Sequence, residues 1–114
     1  MPSRAVLAGH EAHYADPIRV ARGEPLTLTG REDDWDGYRW LWAVAEDGRE
    51  GWVPDGLVRE IDGRHIASRD YSAVELSCVI GETVDVEWET HGWAWCRNRN
   101  GEQGWVPLRN LSAG

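Results

Sequence analysis

The tetrapeptide Gly-Trp-Val-Pro occurs twice in this chain, at 51–54 and at 104–107, and each copy closes the same series of signals. An alternating Trp-x-Trp precedes each one, as Trp40-Leu41-Trp42-Ala43 and as Trp93-Ala94-Trp95-Cys96. Between motif and tetrapeptide lie Asp47-Gly48 and Asn100-Gly101, dipeptides that supply the positive φ angles of a tight β-hairpin. Farther upstream, Gly23-Glu24-Pro25-Leu26-Thr27-Leu28 and Gly81-Glu82-Thr83-Val84-Asp85-Val86 each read as a turn followed by period-2 alternation. The chain is therefore a tandem repeat with units of roughly 50–60 residues. A unit that small buries only about 60% of its unfolded surface, so few residues must supply most of its core. Eight Trp and no Phe provide that mass.

Taken in order, residues 4–8 form a short first strand, and Gly9 to Pro17 a long polar loop. Ile18 and Val20 alternate towards a core, as do Leu26 and Leu28. Arg31 to Tyr38 is read as a second loop, carrying Asp33, Asp34, Trp35, Asp36 and Tyr38. The side-chain period of two places the indoles of Trp40 and Trp42 on one face, with Leu41 and Ala43 on the other. Pro54 ends its ladder because it has no N–H to donate. Arg59 to His65 is read as a linker turning at Asp62-Gly63, after which Ile66-Ala67 opens the second unit. No stretch has a helical apolar period longer than one turn, so no helix is expected. The domains expected are residues 1–60 and 66–114.

The formal net charge is −8, and all the basic side chains other than histidine are Arg. An acidic surface repels phosphate backbones and anionic lipids, which disfavours nucleic acid and membranes as partners and favours cationic ones. No apolar run approaches the roughly 20 residues of a membrane span, and Met1 to Ala8 lack a signal peptide's apolar core. A cytoplasmic protein is expected. Cys78 and Cys96 are not closely spaced and read as small buried hydrophobes. His10-Glu11-Ala12-His13 lacks the His-Glu-x-x-His spacing and a third ligand, so neither metal nor cofactor is expected. No Gly-rich phosphate loop and no nucleophile with an evident base is present, so no catalytic residues are assigned.

The second repeat resembles a Src homology 3 (SH3) domain. Ala67-Ser68-Arg69-Asp70-Tyr71 stands where that family has Ala-Leu-Tyr-Asp-Tyr, and Glu75-Leu76-Ser77 matches its acidic-Leu-Ser. Gly81-Glu82 matches the diverging turn, Trp93 the binding-face Trp, and Gly104-Trp105-Val106-Pro107 the Gly-aromatic-aliphatic-Pro motif. The first repeat is similar from Gly23 onward. The resemblance implies an all-β protein of two tandem, five-stranded SH3-like barrels, each with a peptide groove.

Carried over residue by residue, the resemblance implies ligand contacts at Tyr71, Glu75, Trp93, Trp105 and Pro107 in the second repeat, with Glu75 placed to pair with a ligand's Arg. In the first repeat it implies Trp40, Trp52 and Pro54. Arg69 and Asn110 stand where the family has groove tyrosines, as do Ala8, His10 and Leu57, so ordinary Pro-x-x-Pro recognition is not expected. The residues themselves add Trp35 and Tyr38, where ring faces and carboxylates both attract a cation. The expected function is a non-catalytic module for a peptide or protein ligand that is basic and contains Arg. The alternatives are a wall-targeting domain that binds peptidoglycan and a purely structural assembly domain.

Overall fold

The computed structural model describes residues 3–12, 16–35 and 37–113, and divides into two compact units. One, the terminal unit, joins the described residues up to 12 with those from Val74 onward; the other, the central unit, is Asp16–Ala73. The contacts therefore divide inside the loops that follow the first strand of each repeat, and not at the expected linker. Among the described residues all elements are strands apart from two single 3-10 turns, Asp55–Leu57 and Leu108–Asn110. The described strands pair in four separate hydrogen-bonded sheets.

In the terminal unit, β1 (Ser3–Ala5) pairs antiparallel with β9 (Thr83–Thr90), which continues through β10 (Trp93–Arg97) to β11 (Gln103–Pro107). Alternation along β9 and β10 turns Val84, Val86, Ala94 and Cys96 inward, where they meet Val6, Leu76, Val106 and Leu111. Val6 is 2% exposed and bridges Leu111, so the start of the chain closes the core of the second repeat. Burying such an aliphatic side chain contributes roughly 1.5–3 kcal/mol.

The central unit contains β2 (Arg19–Val20), β3 (Leu26–Trp35), β4 (Tyr38–Ala45), β5 (Glu50–Pro54), β6 (Val58–Ile61), β7 (Arg64–Ala67) and β8 (Tyr71–Ser72). Strands β3, β4 and β5 form one sheet, whose buried side carries Leu26, Ala43, Ala45 and Val53. Ile18 and Val20 are buried as their alternation requires, and β2 pairs with β8 from the opening motif of the second repeat. Each unit thus takes its opening segment from the other repeat.

Two loop assignments are corrected. Arg31–Trp35 is not a loop but the outer half of β3, paired with β4 through Glu32↔Leu41, Asp33↔Trp40, Asp34↔Arg39 and Trp35↔Tyr38 beyond a bulge after Leu28. Across this outer half Glu32 accepts two hydrogen bonds from Arg39, both at 2.8 Å. The linker is likewise the β6–β7 hairpin, with Val58↔Ala67 through Ile61↔Arg64 in register. Its turn is the expected Asp62-Gly63, with φ of 51° and 76°, a primed turn that follows the strand twist.

The Asp47-Gly48 and Asn100-Gly101 hairpins are present in a longer form. Only the glycines take positive φ, 89° and 83°. Gly48 N–H donates to Ala45 O and Gly101 N–H to Asn98 O, so each is an ordinary turn closed by a left-handed glycine. A further two-residue primed turn is His91-Gly92, with φ of 52° and 81°, between β9 and β10.

Candidate functional site

In the central unit, residues directly opposite on an antiparallel pair lie on the same face. The pairs Asp33↔Trp40, Trp35↔Tyr38, Trp42↔Trp52 and Trp40↔Pro54 therefore place Asp33, Trp35, Tyr38, Trp40, Trp42, Trp52 and Pro54 on one side of the sheet. Ala43 and Val53, both 0% exposed, mark the opposite, core side. The expected separation of the indoles of Trp40 and Trp42 from Ala43 holds. Trp35, Trp40 and Trp52 are half-buried, Tyr38 is exposed, and Pro54 is buried. Asp36 lies outside the described residues.

This face already holds a guanidinium. The Arg31 carbon Cζ stands 4.6 Å from the Trp42 ring and 4.9 Å from the Trp52 ring, and the two indoles meet edge to face at 5.0 Å. The indole N–H of Trp42 donates to Glu50 at 2.6 Å, which fixes the ring. On the other face of the same hairpin, Arg39 holds the Glu32 carboxyl below its usual range, and Glu32 in turn raises Arg39. Asp33 is exposed on the face of these rings, whereas exposed Asp34, opposite Arg39, lies on the other face.

Tyr71 belongs to the central unit as well. It is 6% exposed, and its hydroxyl donates to the backbone carbonyl of Trp52 at 3.0 Å. The structure thus places Tyr71 with the first repeat's tetrapeptide, in a different unit from Glu75 and Trp93.

In the terminal unit, Trp93 opens β10 opposite Pro107 of β11 and is half-buried. Glu75 lies on the segment that runs beside β11, where Trp105 N–H donates to Val74 O and Leu76 N–H to Trp105 O. Trp105 is 5% exposed and packs edge to face on Trp88 at 4.9 Å and on Trp95 at 5.2 Å. Its surface is thus taken up by packing, as is that of buried Pro107.

The residue that the sequence reading did not place here is His10. Its Nε2 lies 2.6 Å from Glu75 Oε1, and its ring meets that of Trp93 edge to face at 5.5 Å. The His10 and Cys78 backbones exchange both hydrogen bonds, N–H to O at 2.9 and 2.8 Å. Asn110, where the resemblance has a tyrosine, donates to the Gly9 carbonyl and secures the same segment. Spacing alone could not reveal this trio, because His10 and Glu75 come from different repeats. His13 lies outside the described residues, and among those described no group of three or more potential metal ligands occurs.

Residues 6–61 match the family model of the variant SH3 domain, a stretch just under half of the chain. The chain contains an SH3-like stretch, its described residues are all-β, and SH3-type domains are in general protein-interaction modules without catalysis. No curated protein matches the chain, and no solved structure does.

Proposed function

We propose that this chain is a non-catalytic interaction module that captures an Arg-containing, basic segment of a partner protein, on the aromatic face of the central unit and at Trp93 and Glu75 of the terminal unit. The observation that carries this reading is the lodging of the chain's own Arg31 over Trp42 and Trp52. The same face continues through Trp40, Trp35 and Tyr38, with Asp33 beside them to supply opposite charge. A planar guanidinium suits such a surface better than a Lys ammonium, because it stacks on rings while its N–H groups reach a carboxylate. Each exposed carboxylate contributes at most about 1 kcal/mol, so most of the binding energy comes from the indoles.

The test is titration of the full chain with a hexa-arginine peptide, and with hexa-lysine for comparison, at low and high salt. Binding should be tighter for hexa-arginine and should weaken with salt. Trp40→Ala and Trp93→Ala should each cost roughly tenfold, about 1.4 kcal/mol, at the affected site. Salt-independent binding, or binding unchanged in both variants, would leave the structural assembly role as the better reading. Burial of Tyr71, Trp105 and both tetrapeptide prolines is the observation that favours that second reading.

A further inference from the structure

His10 reaches the terminal unit on the segment 3–12, whose β1 pairs with β9 and whose Leu7 and Ala8 N–H groups both donate to Asn110 O. Its side chain and that of Glu75 are only 11% and 13% exposed, so the 2.6 Å contact between them is largely shielded from solvent. The same imidazole touches the Trp93 ring edge. One side chain therefore contacts both groups that would face a cation.

We infer that His10 is the positioning residue of the terminal-unit site, holding Glu75 beside Trp93 and setting through its own proton how well that pair accepts a guanidinium. The inference rests on the reading above that Glu75 and Trp93 face a basic ligand. A neutral imidazole with its proton on Nε2 donates one hydrogen bond to Glu75 and leaves the carboxylate's charge available. A protonated imidazole cancels that charge and puts a cation against the indole, where it competes with the ligand on both counts. Protonation of His10 and capture of a guanidinium thus oppose each other. By linkage, affinity falls as pH falls, and binding releases a proton.

Other titratable groups lie on the elements around His10. The 74–79 segment brings Cys78 besides Glu75, and Glu11 follows His10 on its own segment. Glu82 acts on the Cys78 thiol. His91 precedes Trp93 by two residues and lies 2.9 Å from Thr90 Oγ1, and Arg109 sits in the 3-10 turn after Pro107. Among the described residues of the terminal unit His91 is the other imidazole, so it requires its own variant.

The experiment uses the full chain carrying Trp40→Ala, so that hexa-arginine reports mainly the terminal unit, with titrations at about pH 5.5 and about pH 8, the range over which imidazoles ordinarily change charge. Binding should be at least roughly fivefold weaker at the lower pH. His10→Gln keeps an N–H donor without a titrating ring, so it should match its parent at the higher pH and lose the pH dependence. His10→Ala should bind more weakly than its parent at the higher pH, and His91→Gln should keep the parental profile. A pH dependence that survives His10→Gln or vanishes in His91→Gln, or full affinity in His10→Ala, overturns the inference while leaving the basic-ligand reading intact. Absence of binding at both pH values overturns both.

Discussion

Gly104 shows how one residue of a motif can be required by packing. A Cβ there would stand 2.6 Å from Leu76 N and 2.7 Å from the Glu75 carbonyl carbon, both backbone atoms that cannot swing aside. At the equivalent Gly51 the nearest atom is Ile18 Cγ2 at 3.1 Å, the end of a side chain. Gly104→Ala should therefore cost about 2–3 kcal/mol or prevent folding, and Gly51→Ala less than about 1.5, as read from urea unfolding. The cysteines give a second prediction. Both are buried, and burial raises the Cys78 thiol and pushes that of Cys96 up to about 12. Cys96 is then protonated in both folded and unfolded states below about pH 9, where its contribution to stability is complete. Above that the unfolded thiol ionises first, so the contribution is lost as pH rises towards 12. Cys96→Ala should show a smaller loss of stability between about pH 8 and about pH 10.5 than its parent. Neither native thiol should react quickly with a bulky alkylating reagent, and rapid labelling of Cys96 would mean that the β10 register is wrong.

At the level of elements, the hairpins decide what the aromatic face contains. Had Arg31–Tyr38 been a loop, Trp35 and Tyr38 would have had no fixed relation to Trp40. Continued pairing to Trp35↔Tyr38 puts all three on one side with Asp33. An Asp-Gly signal was present at 36–37 between two aromatics, but the polar run before it carries no alternation and reads as loop. The β6–β7 turn offers a direct test. Asp62 holds φ of 51°, a conformation that a β-branched residue adopts only at a cost of roughly 1–2 kcal/mol. Asp62→Val should lower stability by about that amount, whereas Asp62→Asn should be tolerated within about 0.5 kcal/mol, by thermal or urea unfolding.

At the scale of the whole molecule, the chain passes between its units twice, after residue 12 and after Ala73. Val6 and its pairing with Leu111 complete a core otherwise built from Leu76, Cys78, Val84, Val86, Ala94, Cys96 and Val106. A fragment of residues 66–114 lacks that strand, although it contains every motif of the second repeat. It should show little cooperative unfolding by circular dichroism, and addition of a peptide of residues 1–15 should restore it. Independent cooperative folding of the fragment would show that the exchange of opening segments is dispensable. The match of residues 6–61 to a single family model follows linear sequence order, and so does not register the exchange.

The sequence by itself determined the all-β class and the alternation that buries Ile18, Val20, Ala43 and Cys96, because these depend on local period and turn chemistry. Only the tertiary structure decided which segments share a unit. The strands that meet are far apart in sequence, and nothing in local pattern marks which edges pair. That choice placed Tyr71 beside Trp52 and brought His10 to Glu75 and Trp93.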